Sequence, residues 1–269
     1  MSKKPGDSGQ WWKDQWNFFT GCTRISEACD HCYALGMLNH YQGQKEGDLR
    51  FYPERMDLPL KQRKPRRYFV GNMTDIFHPD HNYESLLEAF RVMCQATRHT
   101  FMLLTKRPER AVDCVKSAES WVDLRPAAFW PISRIWFGIT AENQQRLDER
   151  GPWLLQIPAA VRFISFEPLL GPVMIPPEVL EGIHWVIVGG ENGPGARPMR
   201  PEWVRSLRYQ CQEAGIPFWF KHWGSYWKRH ELYYPGNRRY YQRFGLLCDY
   251  PRLLDNREWS ELPMEGNNV

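Results

Sequence analysis

The run Ile135-Trp-Phe-Gly-Ile-Thr-Ala-Glu-Asn143, an amphipathic stretch from Asn143 to Gln156, and Val161-Arg-Phe-Ile-Ser165 read as strand, helix, strand. Asparagine is a favoured helix start, because its side-chain oxygen can accept from an otherwise unpaired backbone N–H. The same alternation continues outward in both directions. Short apolar runs at Trp16–Phe19, Tyr68–Val70, Thr100–Leu104, Trp185–Val188 and Phe218–Phe220 are further candidate strands. Longer amphipathic runs at Tyr33–Gln42, Tyr83–Ala96, Glu109–Ser117 and Pro201–Ala214 are further candidate helices, the last opening on a proline that a first turn tolerates. Such alternation predicts an α/β fold with parallel strands and crossover connections, a complete or partial (β/α) TIM-like barrel. No internal repeat or low-complexity tract interrupts it.

Barrel enzymes carry their chemistry at the carboxyl ends of the strands. Each candidate strand here ends in polar or glycine residues: Thr20-Gly21-Cys22, Gly71-Asn-Met-Thr-Asp75, Thr105-Lys106-Arg107, Thr140-Ala-Glu-Asn143, Glu167, Gly189-Gly-Glu-Asn192 and Lys221. The general polarity of loops explains part of this. It explains less well why Lys106, Glu142, Glu167, Glu191 and Lys221 abut strongly apolar runs, where an uncompensated charge is costly. They require a ligand or internal ion pairs.

The first of these ends opens the loop Gly21-Cys-Thr-Arg-Ile-Ser-Glu-Ala-Cys-Asp-His-Cys32, with cysteines spaced C-x6-C-x2-C. Three thiolates leave one metal position open. Structural zinc wants four ligands, and His31, wedged between Asp30 and Cys32, would have to supply the fourth. Thiolates on a short loop are also the ligands of iron–sulfur clusters, which is the reading favoured here. Trp11, Trp12 and Trp16 precede the loop and Tyr33 follows it, either as a shield around a cluster or as ordinary core.

Several segments together carry a resemblance that spans nearly the whole chain. They are Trp16-Asn-x-x-Thr-Gly-Cys22 with the remaining cysteines and Tyr33-Ala34, the basic run Lys61–Arg67 leading into Val70-Gly-Asn-Met-Thr-Asp75, and Leu104-Thr-Lys-Arg-Pro-Glu-Arg110. Ser165-Phe-Glu-Pro-Leu-Leu-Gly-Pro172, Val188-Gly-Gly-Glu-Asn192, Phe220-Lys-His-Trp-Gly224 and Leu253-Leu-Asp-Asn-Arg-Glu-Trp259 extend it. The pattern resembles a phage-associated three-cysteine family of largely unknown function, related to radical S-adenosylmethionine (SAM) enzymes such as spore photoproduct lyase. The common radical SAM spacing is C-x3-C-x2-C, so the first gap here is wider.

This resemblance implies a barrel of the radical SAM type in which Cys22, Cys29 and Cys32 hold a [4Fe–4S] cluster whose fourth iron binds SAM. Reductive cleavage of SAM would give a 5′-deoxyadenosyl radical, and an electron donor such as flavodoxin or ferredoxin is the implied partner. Gly71, Asn72, Thr74 and Asp75 would meet the methionine end, and Ser165 with Glu167, or Thr140 with Glu142, the ribose. Gly189 and Gly190 permit close approach of a flat ligand such as adenine, although a turn would use them equally well. The implied reaction is of isomerase or lyase type, modifying, rearranging or repairing a nucleobase, with modified thymidine in phage-type DNA as the preferred substrate.

Two segments bear on nucleic acid directly. Lys61–Arg67 has five cations in seven residues, which suits either solvent or a phosphate backbone. Tyr226–Phe244 interleaves rings with cations, and Pro235-Gly-Asn237 reads as a turn within it, giving a hairpin that either stacks bases or caps the barrel. Lys106, Arg107, Glu191, Lys221, Arg238, Arg239, Tyr240, Tyr241 and Arg243 are the candidate substrate contacts. Two alternatives stay open: a non-catalytic nucleic-acid-binding protein with a structural iron–sulfur or zinc site, and a radical SAM enzyme acting on a peptide or small metabolite.

The 269 residues, 42% hydrophobic with a formal charge of +4, can bury one substantial core and permit nucleic-acid binding. The expected division is a barrel over residues 1–224 and a C-terminal aromatic and basic extension over 225–269 at the barrel mouth. No run approaches the roughly 18 apolar residues that cross a bilayer, and Met1-Ser-Lys-Lys-Pro-Gly6 lacks a signal-peptide core, so a cytoplasmic location in a bacterial or phage-infected cell is expected. Cys94, Cys114, Cys211 and Cys248 are then thiols outside the cluster.

Overall fold

Strands covered on both faces need no polar alternation, and the apolar runs of this chain are of that kind. A computed structural model of the protein describes residues 11–120, 131–226, 253–255 and 257–263. Along the chain these form β1 (Asp14–Trp16), β2 (Phe19–Thr20), α1 (Tyr33–Gln42), β3 (Arg50–Phe51), α2 (Leu58–Lys61), β4 (Arg67–Val70) and α3 (Tyr83–Gln95). There follow β5 (Thr100–Thr105), α4 (Pro108–Ser120), β6 (Ile135–Thr140), α5 (Gln144–Gln156), β7 (Val161–Phe166) and α6 (Pro177–Gly182). The remainder is β8 (Trp185–Gly189), α7 (Pro201–Glu213), β9 (Phe218–His222), β10 (Leu253–Leu254) and β11 (Arg257–Glu258).

Seven strands make one all-parallel sheet in the order β1-β4-β5-β6-β7-β8-β9. Register assigns alternate residues to two different cores. Tyr68, Val70, Phe101, Leu103, Phe137, Ile139, Ile164, Val186 and Val188 face Leu86, Phe90, Val112, Val115, Leu147, Leu154, Val204 and Leu207 of the helices. The intervening Phe69, Met102, Trp136, Phe163, Trp185, Ile187 and Trp219 form a second core with Trp11 and Trp12, to which no described helix contributes. Helices on one face and aromatic side chains filling the other give a curled half-barrel rather than a doubly wound sheet. Among the described residues the barrel is partial, since β1 and β9 do not pair.

Local sequence explains the element boundaries. Asn82 and Asn143 cap α3 and α5, their Oδ1 atoms accepting from Ser85 N at 2.9 Å and Arg146 N at 3.0 Å. Gly43, at φ +60°, ends α1 in the left-handed conformation. The single strand expected at Trp16–Phe19 is two. Asn17 leaves the ladder, its Nδ2 donating to Asn72 Oδ1 at 2.7 Å and its Oδ1 accepting from Met73 N at 3.3 Å, so that β2 pairs antiparallel with β3 instead. The short α2 and α6, each with proline in its first turn, carry too little periodicity to be read from sequence.

Residues 259–261 run antiparallel along the outer edge of β9, with Phe220 N donating to Trp259 O at 2.8 Å and Glu261 N to Phe218 O at 3.2 Å. This covers a sheet edge that would otherwise be open. The hairpin expected around Pro235-Gly236-Asn237, with Arg238, Arg239, Tyr240, Tyr241 and Arg243, lies outside the described residues, as does Cys248. Lys61–Arg67 leads into the start of β4, at the amino ends of the strands and so on the opposite rim from the cysteine loop. Within it Lys61 pairs with Asp57 and Arg66 with Asp14. No described helix is long and apolar enough to cross a membrane.

Gly138 faces the inner core, where a Cβ would fall 2.3 Å from the Phe163 ring. Gly138→Ala should cost about 1–3 kcal/mol by overpacking. Chemical denaturation of a double-mutant cycle checks this, because the cost should shrink in a Phe163→Leu background.

Candidate functional site

At the carboxyl ends of the strands the inner face changes from aromatic to polar. Thr140, Ser165, Glu167 and Lys221 continue the rows of Trp136, Phe163 and Trp219, and all four line a cavity. Trp11 and Trp12 form its floor, the Trp11 ring lying 4.8 Å from Phe69 and 5.7 Å from Phe163. Cys22, Cys29 and Cys32 share its wall with Asn72, Lys106 and Asn192.

The cysteine loop is pinned from four strand ends. After β4, Asp75 accepts from Thr105 Oγ1 at 2.7 Å, Phe77 N at 3.1 Å, Lys106 N at 3.0 Å and Arg107 Nη1 at 3.1 Å. Arg107 donates in turn to Thr23 O at 3.1 Å and Thr23 Oγ1 at 3.0 Å, with Nη1 3.7 Å from Cys22 Sγ. After β6, the fully buried Glu142 pairs with Arg150 at 2.9 Å and accepts a long contact from Ala28 N, while Arg146 grips Glu27 through two bonds of 3.0 and 3.1 Å. After β8, Glu191 accepts from Arg197 and meets His31 Nδ1 at 3.1 Å, and Arg197 Nη2 donates to Glu27 O at 2.6 Å.

The sequence-selected residues therefore divide. Asn72, Thr140, Ser165, Glu167, Gly190, Lys106, Glu191 and Lys221 border the cavity together with the three cysteines. Thr74, Asp75 and Arg107 border it too, but Thr74 donates to Gly21 O, and Asp75 and Arg107 are engaged as described. Glu142 lies behind the loop in its ion pair. Gly71 serves a turn at φ +72°, where a Cβ would strike Ile76, and a Cβ on Gly190 would strike the Trp223 carbonyl. Gly189 has Glu167 against it.

The electrostatics of the wall and floor differ. Burial opposes ionisation of Glu167, yet the Lys221 ammonium 2.6 Å away and a hydrogen bond from His222 hold its carboxyl down to about 2. Lys221 also sits 5.0 Å over the Trp12 ring. Burial and the Asp75 charge push the Cys22 thiol up despite Arg107, whereas at Cys29 burial is outweighed by Lys106 and by hydrogen bonds from Ile25 and Ser26, which lower it. Cys22, Cys29, Cys32, Cys94, Cys114 and Cys211 are all free thiols, and burial drives Cys211 up to about 12. His31 faces Glu191, not the thiols. Among the described residues no three Cys, His, Asp or Glu side chains are gathered closely enough to hold a metal ion.

Two histidines were not legible as site residues. His78 Nε2 bonds Thr23 Oγ1 at 2.8 Å, and His81 Nε2 bonds Thr74 Oγ1 at 2.8 Å while stacking 4.0 Å from Phe19. They buttress the loop from behind. Their only sequence signal is position, three and six residues after Asp75.

Burial, reinforced by the neighbouring His78, depresses His81 to about 4. An unfolded histidine titrates near 6.5, so the stability this neutral ring contributes is complete above that pH and is lost as pH falls towards the folded value. His81→Asn should therefore destabilise the protein more at pH 7.5 than at pH 4.5, by on the order of 2–3 kcal/mol, as read by urea denaturation at both pH values.

No curated protein matches the sequence. Among solved structures, a point mutant of spore photoproduct lyase aligns with 14% identity and a TM-score of 0.43, over 66% of this chain and 55% of that one. Spore photoproduct lyase complexed with dinucleoside spore photoproduct aligns with 12% identity and a TM-score of 0.42, over 74% and 61%. The chain thus spans less than two thirds of the length of either of these proteins. A family model described as "Protein of unknown function (DUF5131)" matches residues 8–263, and the chain belongs to that family.

Proposed function

We propose that the cavity takes a [4Fe–4S] cluster on Cys22, Cys29 and Cys32 and that the protein is a radical SAM enzyme acting on a nucleobase in nucleic acid. One observation carries this reading: three free thiols from a single loop share one wall of a cavity at the carboxyl ends of a parallel sheet. Their chemistry fits, since soft thiolates on a short loop suit iron–sulfur ligation. Among the described residues the three thiols do not converge, so cluster uptake would draw them together. Bound there, a reduced cluster would supply the electron that cleaves SAM to a 5′-deoxyadenosyl radical.

The chain's own part is to hold, orient and exclude. Asn72, Lys106 and Asn192, on the same wall as the thiols, are the proposed contacts for the polar end of SAM. Trp11, Trp12 and Phe69 keep water from the floor, and the buried Lys221–Glu167 pair is left facing the substrate side. The ring-and-cation sequence of Tyr226–Phe244 supports nucleic acid as the substrate class.

Anaerobically reconstituted protein should contain about four irons and four sulfides per chain. Replacing Cys22, Cys29 or Cys32 by Ala should abolish them, and replacing Cys94, Cys114, Cys211 or Cys248 should not. With dithionite and SAM the loaded protein should release 5′-deoxyadenosine, measured by chromatography. Stoichiometric zinc, or iron retained in the triple Cys22/Cys29/Cys32 variant, overturns the reading.

A further inference from the structure

The cavity floor carries polar groups that the protein does not satisfy. Trp11 Nε1 and Ser165 Oγ are buried without a hydrogen-bond partner among the described residues, and both side chains line the cavity, each only 1% exposed. A tryptophan N–H can only donate. Between them and the rim stands the Lys221–Glu167 pair, in which Lys221 and His222 both contact Oε1 of the carboxylate. Glu167 Oε2 is thereby left to accept, and an ammonium with three N–H groups retains donors beyond the one that meets Glu167. Trp12, Phe69 and Leu104 add flat apolar surface to the same cavity.

The cavity thus gathers the donors of Trp11, Ser165 and Lys221 with a held carboxylate. We infer that it reads the lactam edge of a planar base, an N–H flanked by carbonyl oxygen, as in uracil, thymine or hypoxanthine. The carbonyl oxygens accept from Ser165, Trp11 or Lys221, and the ring N–H donates to Glu167. Cytosine and adenine present an unprotonated ring nitrogen beside an amino group. That nitrogen would face the carboxylate, and the amino group would face donors, leaving buried groups on both partners unpaired. Sites built this way reject the mismatched ligand strongly, because its binding pays desolvation without restoring hydrogen bonds. The inference rests on the proposed nucleobase substrate but not on the cluster.

The test uses the full chain without metal or SAM and fluorescently labelled single-stranded pentamers d(AAXAA), followed by anisotropy. With X as uracil, thymine or hypoxanthine, binding should be at least about tenfold tighter than with cytosine or adenine, and 3-methylthymine should lose that advantage. Ser165→Ala should narrow the uracil-to-cytosine ratio about tenfold without lowering the melting temperature, because it removes an unsatisfied hydroxyl. Glu167→Gln, measured separately, should relieve the penalty for cytosine, because an amide can donate to an unprotonated ring nitrogen where a carboxylate cannot. Equal binding of uracil and cytosine, unchanged ratios in both variants, or no detectable binding overturns the inference. Cluster-loaded protein lacking base preference would defeat this inference alone, and base preference in a protein that takes up no iron would defeat the radical reading alone.

Discussion

One guanidinium ties the first cysteine of the loop on which the proposed chemistry depends to the ends of two strands. Arg107, just past β5, is buried against Asp75, just past β4, and reaches across to Thr23 and Cys22. Neither charge could be left alone there. Removing one partner of such a pair strands the other and typically costs about 3–5 kcal/mol. Asp75 in turn collects Thr105, Phe77 and Lys106, so the ends of two strands and the first cysteine are linked in one hydrogen-bonded cluster. Glu142 with Arg150, and Glu191 with Arg197, repeat the device at two further strand ends.

The second constraint is steric. A half-barrel with no described helix on its inner face must fill that face itself, and five aromatic residues from five strands, with Trp11 and Trp12 of the lead-in, do so. The aromatic layer stops where Thr140, Ser165 and Glu167 begin, which turns the remaining space at the strand ends into a cavity. Gly138 shows how closely the filling is fitted, since the Phe163 ring occupies the space of its missing side chain.

Much of this was legible in the sequence, and for identifiable reasons. Six of seven strands of the described sheet and all five long described helices follow from period and length, because burial on both faces gives β5, β6 and β8 apolar runs and α3, α4, α5 and α7 one apolar face. The exception at Trp16–Phe19 turns on a hydrogen bond between Asn17 and Asn72, residues 55 apart in sequence, which no local pattern encodes. The strand-end charges were visible as a rim, but not which would pair. Asp75, Glu142 and Glu191 meet arginines of the protein itself, and only geometry separates them from Lys221 and Glu167 inside the cavity. Sequence offered Gly71 as a contact for the methionine end, and Gly189 and Gly190 as either a flat ligand's approach or a turn; in the fold the space of a Cβ at Gly71 is taken by Ile76 and at Gly190 by the Trp223 carbonyl.

The central claim is that the three thiols bind a cluster with one iron open to SAM. Electron paramagnetic resonance of the dithionite-reduced, reconstituted protein tests it most directly. The account predicts a [4Fe–4S]⁺ signal whose g values shift on addition of SAM and which is absent from the Cys22→Ala variant. A signal indifferent to SAM, or the same signal in that variant, would contradict it.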